Sequence, residues 1–345
     1  MKHSIKLIIY FVLGCVLLQV KALPAETKSL HVDKIVADSD DIFFSSHVSD
    51  VYVDTTVGRV IVTDTDGCNI KSFDMEGKLL HQFGRKGQGP GDLNGPTVVY
   101  RWGESYWVAE PMNRRIQIFD KNWNSIKTIR TPSLGIADFI PSDDGGLWGV
   151  PNKGFQVHIF IDKKKESQSV LFKMGTDGKL LQTLGSSPVD KNFYLTEMMR
   201  NVVLLPGPEK SLYVIYTILN KIEIYKNNTL FTTFHMPLPF TPVKPKATMK
   251  REGNTFLMHL EMDRILSDAC WSPSNELYVA LYQSNTSKGR SNQHLCKIDH
   301  KTGKVLDEWS LPEQVTAFDF LGKNRVVILT ENEDGEFALN FCTLN

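Results

Sequence analysis

The chain has 345 residues, of which 41% are hydrophobic and 23% are charged, and its 39 basic side chains balance its 39 acidic ones. This balance, and the lack of a long basic run with interleaved aromatic residues, argues against a nucleic-acid-binding protein. The composition is that of a globular protein, with no shift that would divide the chain into two domains.

The N-terminal segment has the parts of a secretory signal. Lys2 and Lys6 form a basic region, an apolar run follows, and Ala22 is a small residue at a cleavage position. The apolar run is shorter than the ~20 residues that a membrane-spanning helix requires. We therefore expect a signal peptide at 1–22 and a secreted or periplasmic single domain at 23–345. Removal of the signal would leave 36 basic and 39 acidic residues, a formal charge of −3.

A lipid anchor is the alternative for the same segment. Val12-Leu13-Gly14-Cys15 loosely resembles a bacterial lipobox, in which Cys15 would carry the lipid. The apolar sequence VLLQV follows Cys15 where a polar tether is usual, which favours cleavage after Ala22. No transmembrane segment is expected in the mature protein in either case.

Short strand-like runs bounded by Gly, Pro, Asn and Asp recur along the rest of the chain, without sustained helical periodicity. The segment Gly58–Asp74 is repeated by Glu104–Asp120 and again by Lys210–Lys226. Weaker copies of the second-strand pattern begin at Gly145, Asn275 and Asn324. The sequence therefore contains six copies of one unit, and such internal repetition is typical of propellers and solenoids.

Each unit contains four predicted strands, except that the sixth copy provides only three before the chain ends. A single twisted four-stranded sheet cannot bury both faces alone, so neighbouring units must stack around an axis. The N-terminal segment Ser29–Ala37 can supply the missing strand and cover an exposed sheet edge. We predict an all-β, six-bladed β-propeller of four-stranded antiparallel blades, closed by an N-terminal strand.

The stretch Phe83–Pro96, FGRKGQGPGDLNGP, lies between the fourth strand of blade one and the first strand of blade two. Its glycines allow the chain to turn with positive φ, and no Lys-Ser/Thr pair enters a helix as a phosphate-binding loop would require. The stretch resembles the G-x-G-x-G-P-G-x-[FL]-x-x-P junction of NHL-type six-bladed β-propellers, especially secreted bacterial ones. The other five junctions depart from this motif.

Two basic pairs are predicted to lie on one face of adjacent blades. Arg85 and Lys86 lie on the connection between blades one and two, and Arg114 and Arg115 lie on the second-to-third-strand loop of blade two. In such a propeller these loops share the face around the axial channel. The pairs could bind an anionic ligand or an acidic partner, or they could be solvated surface charge, with Arg114 paired to Glu110.

The segment His235–Asp268 is far longer than an ordinary connection and is expected to form a lid or rim on the same face. It would add Arg251 and Arg264 to the basic rim. A concave basic rim on a chain with a formal charge near −3 would favour an anionic small molecule, peptide or protein partner.

Carboxylates at the ends of second strands provide a second candidate site. Asp64 and Glu110 occupy equivalent positions, and Glu331 lies near that position in blade six. Converging carboxylates could ligate Ca²⁺, as they do in the similar-looking lactonase-type propellers. The other blades place Pro151, Tyr216 and Leu281 there, which favours acids that cap turns. Asp50, Asp138 and Asp268, near the starts of first strands, are open to the same two interpretations.

No residue is assigned a catalytic role, because no histidine pair has zinc-site spacing and no G-x-S-x-G elbow is present. Propellers serve both as binding modules and as enzymes. The leading hypothesis is a secreted or periplasmic non-catalytic binding protein without a cofactor, which uses the channel face. The alternative is a metal-dependent hydrolase or lyase with its site in the central channel.

Overall fold

A computed structural model describes residues 27–39, 42–131, 135–142, 145–151, 167–238, 242, 244–252, 255–261, 265–283, 292–311 and 313–345. The expected signal peptide at 1–22, with Cys15, lies outside these residues. No helix within the described ranges is long and apolar enough to cross a membrane.

Six four-stranded antiparallel sheets form the blades of a propeller, which confirms the predicted fold. The first strand of the chain is β1 (Leu30–Val36). Blade one comprises β2 (Val48–Asp54), β3 (Arg59–Asp64), β4 (Asn69–Phe73) and β5 (Leu79–Phe83). Blade two comprises β6 (Val98–Trp102), β7 (Ser105–Glu110), β8 (Arg115–Phe119) and β9 (Ser125–Arg130).

The remaining blades follow the same order along the chain. Blade three comprises β10 (Ile136–Pro141), β11 (Leu147–Pro151), β13 (Leu171–Met174) and β14 (Leu180–Leu184). Blade four comprises β16 (Val202–Gly207), β17 (Ser211–Tyr216), β18 (Lys221–Lys226) and β19 (Thr229–Phe234). Blade five comprises β22 (Leu266–Trp271), β23 (Leu277–Gln283), β24 (Asn292–Ile298) and β25 (Val305–Leu311). Blade six comprises β26 (Gln314–Phe320), β27 (Arg325–Glu331), β28 (Phe337–Leu344) and β1.

The N-terminal strand closes the ring as the sequence predicts. Strand β1 pairs antiparallel with β28, from Leu30 opposite Leu344 to Val36 opposite Leu339. Val36 is buried and joins the apolar cluster between blades six and one, where Phe341 also packs. The last blade is thus built from both ends of the chain. It is complete only when the N-terminal strand pairs with the C-terminal one, which closes the ring.

A separate apolar cluster fills the boundary between each pair of neighbouring blades, six in all within the described residues. Between blades one and two, for example, Ile61 and Ile70 of one blade pack with Val108 and Phe119 of the next. The central strands β3, β7 and β17 are almost wholly buried because both of their faces meet a neighbouring sheet. Burial between blades therefore stabilises the ring, as the repeat argument requires.

The outermost strand of five blades carries a β-bulge whose extra residue is apolar and exposed. In blade one, His81 is opposite Ser72 and Leu79 is opposite Phe73, so Leu80 has no partner across the strand. The five bulge residues are Leu80, Ile126, Leu181, Phe231 and Leu306. In β1, which completes blade six, the residue at the bulge is Asp33.

The other strands and the α-helix lie outside the six blade sheets: Ser167–Gln168 falls between β11 and β13 of blade three, and the rest lie in connections between blades. Strands β12 (Ser167–Gln168) and β15 (Ser187–Pro188) form a short ladder, and α1 (Phe193–Met199) precedes blade four. Strands β20 (Lys246–Glu252) and β21 (Thr255–Glu261) form a hairpin within the segment predicted to be a lid or rim. Whether the hairpin covers the channel face stays a prediction.

Candidate functional site

A buried ion pair organises the interior of blade two. Glu110 ends β7 and lies directly opposite Arg115, the first residue of β8. Its carboxylate, which is fully buried, accepts hydrogen bonds from Arg115 Nε at 2.8 Å and from Gln117 Nε2 at 2.6 Å. Charge-assisted, two-point contacts of this kind fix the position of a guanidinium group.

Arg115 also holds the glycine-rich junction between blades one and two. Its Nη1 donates to the carbonyl of Gln88 at 2.7 Å, and its Nη2 donates to the carbonyl of Asp92 at 2.8 Å. The Glu110 carboxylate completes the anchor by accepting the N–H of Asn94 at 3.1 Å. The junction is therefore bound to the buried ion pair of the blade that follows it.

A cavity of about 600 Å³ opens beside this anchor, at the outer part of the face that carries the second-to-third-strand loops. The lining residues come from the junction, from the second-to-third-strand loop and from the end of β9. They are Gln88, Met112, Asn113, Arg114, Arg115, Thr128, Arg130 and Thr131. We call this the arginine cavity.

The chemistry of the arginine cavity is cationic and hydrogen-bonding. Arg114 and Arg130 are exposed, whereas Arg115 is buried against Glu110. Arg114 adopts a left-handed conformation with φ of 51° and ends the short 3₁₀ turn Pro111–Asn113. The Oγ1 atom of Thr131, itself buried, has no hydrogen-bond partner among the residues that the structure describes. Guanidinium groups and hydroxyls in this arrangement suit carboxylate, sulfate or phosphate groups.

The structure brings together only part of the predicted basic rim. Arg114 and Arg115 line the arginine cavity, but Arg85 and Lys86 do not. The Arg85 side chain is 86% exposed and pairs with Asp92 at 2.9 Å, and its hydrogen bond lowers the pKa of Asp92. Arg251 lies on β20, and its side chain is outside what the structure describes, as is Arg264 altogether.

The sequence patterns did not indicate Arg130, Thr128 or Thr131 as site residues. Arg130 ends β9, and Thr131 follows it. The end of a fourth strand lies on the same face as the second-to-third-strand loop, so strand order alone could have indicated Arg130. Arg130 is flanked by Ile129 and Thr131, so the pattern of adjacent basic pairs does not include it.

The second-strand carboxylates lie in separate blades and do not converge. Asp64 forms a buried ion pair with Lys71 at 2.5 Å and accepts the N–H of Gly67 at 2.9 Å. Glu331 lies one position beyond Thr330, which aligns with Asp64 in the pairing of its blade. Among the described residues, no group of three or more His, Cys, Asp or Glu side chains is arranged to hold a metal ion.

The inner strands place another set of carboxyl groups around the axis. Asp50, Asp138 and Asp268 follow a bulge at equivalent positions of β2, β10 and β22, in alternate blades. Burial, followed by repulsion from Asp268, Asp138 and Asp319, raises the pKa of Asp50 well above its usual value. Burial likewise raises the pKa of Asp319, on β26, to about 7. We call these four residues the channel carboxyl cluster.

Comparison with solved structures supports the fold. A gluconolactonase from Xanthomonas campestris superposes with a TM-score of 0.56 at 14% identity, over 94% of this chain and 97% of that one. Virginiamycin B lyase from Staphylococcus aureus gives a TM-score of 0.51 at 11% identity, over 90% and 99%. A streptogramin B lyase gives 0.52 at 14% identity, over 90% and 98%. No family model and no curated protein matches the chain. At these identities the chain shares the six-bladed propeller fold with these enzymes.

Proposed function

We propose that the protein is a secreted or periplasmic, non-catalytic binding protein of NHL-type repeat that takes an anionic group in the arginine cavity. The observation that carries the proposal is the meeting of Arg114, Arg115 and Arg130 at one cavity. The anionic group can belong to a small molecule, a peptide or an acidic protein partner, since all three present carboxylates or their analogues.

The construction of the cavity supports binding. Its volume of about 600 Å³ falls within the range of small-molecule sites, roughly 300–1,000 Å³. Arg115 is held in place by Glu110 and by junction carbonyls, so one wall is preorganised before a ligand arrives. Arg114 and Arg130 are exposed residues that line the same cavity.

The channel is a poorer candidate for an anion. Its inner surface contains the channel carboxyl cluster, and the oxygens of Asp268 and Asp319 accept hydrogen bonds there, so these groups present acceptors rather than the donors that an anion requires. A metal-dependent hydrolase or lyase remains the second candidate because a lactonase and two lyases share the fold. Metal analysis of protein purified by gel filtration separates the two, since stoichiometric Ca²⁺ or Zn²⁺ would favour the enzyme.

The test of the leading proposal is charge reversal at the cavity. Arg114→Glu and Arg130→Glu, singly and together, should weaken the binding of citrate or sulfate at least ~10-fold in calorimetric titration, which corresponds to about 1.4 kcal/mol. Lys127→Glu is the matched control, because Lys127 is an exposed cation on β9 outside the cavity lining. Each variant should retain the wild-type melting temperature.

Two outcomes would contradict the proposal. The wild-type protein could bind neither anion, or the double variant could bind both as well as the Lys127→Glu control does. A fall in melting temperature with unchanged binding would show that the two arginines are structural.

A further inference from the structure

The outer edge of blade five is occupied by a segment of the same chain. Lys28, which lies just before β1, forms a parallel bridge with Trp309 of β25. Its N–H donates to the carbonyl of Glu308 at 2.8 Å, and its carbonyl accepts the N–H of Ser310 at 3.4 Å. Its Nζ also pairs with Asp307 at 2.6 Å. A single residue thus binds this edge through two backbone hydrogen bonds and an ion pair.

The bulge of β25 determines where this pairing takes place. Leu306 is the bulge residue, and the pairing of β25 with β24 is regular from Asp307 onward. In an antiparallel strand, alternate residues direct their backbone groups to opposite sides. Beyond the bulge, Glu308 and Ser310 direct theirs away from β24, which is where Lys28 meets them. The available edge is therefore a short stretch that follows the bulge.

Blade two has an edge of the same construction. In β9 the bulge residue is Ile126, and the pairing with β8 is regular beyond it. The next four residues correspond in order to those beyond the bulge of β25: Lys127 to Asp307, Thr128 to Glu308, Ile129 to Trp309 and Arg130 to Ser310. The Thr131 N–H donates to the Arg114 carbonyl at 2.9 Å, so by alternation Thr128 and Arg130 direct their backbone groups away from β8.

The edge of blade two is open where the edge of blade five is occupied. No segment within the described ranges pairs with β9 on this side. The Thr128 carbonyl and the Arg130 N–H match the two groups that hold Lys28. A Cβ atom at Gly178 would lie 2.5 Å from the Arg130 carbonyl oxygen, so a turn of blade three limits the edge at that point. The open edge consequently offers one acceptor and one donor at strand spacing.

The charges at this edge are the reverse of those at blade five. Lys127 occupies the position of Asp307, the partner of Lys28. Lys127 and Arg130 are exposed, and neither forms an ion pair with a residue that the structure describes. Strand β9 is also the one outer strand of the six that contains two cations and no acid. A segment complementary to this edge is therefore acidic.

We propose that the outer edge of blade two binds an extended acidic segment of a partner polypeptide, parallel to β9, as the edge of blade five binds Lys28. The central residue of the segment donates its N–H to the Thr128 carbonyl, accepts the Arg130 N–H and places its carboxylate beside Lys127. The residues on either side of it face the arginine cavity, because Thr128 and Arg130 line that cavity and successive side chains of a strand alternate.

The inference rests on the proposed function and adds the class of partner to it. Three consecutive acidic residues satisfy Lys127 on one face of the strand and the arginine cavity on the other. A polypeptide is favoured over a sulfated polysaccharide because the edge offers backbone hydrogen bonds in the manner of strand addition. Met112, which is 65% exposed, also contributes an apolar surface to the cavity.

The first experiment is calorimetric titration of the full mature chain with the peptide acetyl-SVEEEVS-amide. Lys127→Glu should weaken peptide binding roughly 5-fold or more, but not citrate binding, because Lys127 lies outside the cavity lining. A peptide with lysine as the central residue should bind the wild type more weakly and regain affinity for Lys127→Glu. Lys121→Glu is the matched control, since Lys121 is an exposed cation in the turn before β9.

The second experiment tests the backbone pairing and needs no variant. N-methylation of the central glutamate removes the N–H that bonds to Thr128 and should weaken binding at least ~10-fold. N-methylation of the following residue, whose N–H points away from β9, should have little effect. The two peptides have the same charge and the same composition, so only the position of the methyl group distinguishes them.

Three outcomes would overturn the inference. Binding of citrate without binding of the peptide would do so and leave the proposed function standing. Equal affinity of the two methylated peptides would show a site for polyanions held by charge alone. Self-association of the protein that Lys127→Glu abolishes, measured by light scattering, would assign the edge to a second copy of the chain.

Discussion

Glu110 and Arg115 form a two-point ion pair in the interior of blade two, with Oε1 to Nε at 2.8 Å and Oε2 to Nη2 at 3.2 Å. The carboxylate is fully buried and the guanidinium nearly so. Nη1 and Nη2 of Arg115 also donate to carbonyl groups of the junction, so the pair supports both the blade interior and one wall of the arginine cavity.

Glu110→Gln should lower the free energy of unfolding by about 3–5 kcal/mol, because it leaves the buried guanidinium without its counter-charge. Urea denaturation at neutral pH measures this loss. Arg85→Ala removes an exposed ion pair from the same junction and should leave the stability unchanged within error. If the two substitutions lowered the free energy of unfolding equally, burial would not explain the difference expected between the Glu110–Arg115 and Arg85–Asp92 pairs.

Deletion of 23–37 should abolish cooperative thermal unfolding or cause aggregation. The deletion removes β1, leaves the edge of β28 exposed and takes Val36 out of the cluster between blades six and one. Calorimetry combined with light scattering measures both effects. A shorter deletion of 23–27 keeps Lys28 and its contact with Asp307, and should melt as the intact mature protein does.

Gly178→Ala should both destabilise the fold and weaken anion binding. Gly178 has φ of +84°, and a Cβ atom there would lie 2.5 Å from the carbonyl oxygen of Arg130, which lines the arginine cavity. Gly103→Ala is the matched control, because Gly103 has φ of +62° and no atom within 4 Å of a built Cβ. Both substitutions should lower the free energy of unfolding by about 1–2 kcal/mol, because alanine disfavours the left-handed conformation. Gly178→Ala should lower it further, because of the contact with the Arg130 carbonyl, and it alone should reduce citrate binding.

The four described cysteines should remain reduced and unreactive in the folded protein. Cys270 on β22 and Cys296 on β24 are separated by β23, so a disulfide between them is geometrically excluded, and all four thiols are free. Burial raises the pKa of Cys270 and Cys296 and raises that of Cys342 to about 12. A thiol reagent at pH 8 should label them only after unfolding. A Cys270–Cys296 peptide in a non-reducing digest would contradict the strand assignment.

The repeat pattern was sufficient to predict the ring and its closure, because both depend on counting strands. It was not sufficient to decide which arginine pairs with Glu110. The structural interpretation of the sequence was an ion pair between Arg114 and Glu110. In the structure, Arg115 is the residue opposite Glu110 in the ladder, and Arg114 adopts a left-handed conformation at the end of the turn. Which arginine pairs with Glu110 depends on the residue at which the turn ends, because a shift of one residue along a strand moves a side chain to the opposite face of the sheet.

The channel carboxyl cluster shows a similar limit. Asp50, Asp138 and Asp268 were visible as acids near strand starts, but Asp319 lies two positions beyond the equivalent residue, Ala317. Asp319 comes near the other three aspartates because the inner strands of different blades pack around the axis. The sequence of a single repeat does not show that packing. Burial of these groups is likewise a property of the assembled ring.

The bulges of the outermost strands affect whether blades of different molecules can associate edge to edge. A propeller ends every blade in a strand with one open edge, and here five of those edges also display an exposed apolar side chain. A strand from another molecule that began to pair along such an edge would lose register at the bulge, near the start of the strand. We therefore expect the bulges to disfavour edge-to-edge growth into filaments, although these apolar residues are exposed at the surface.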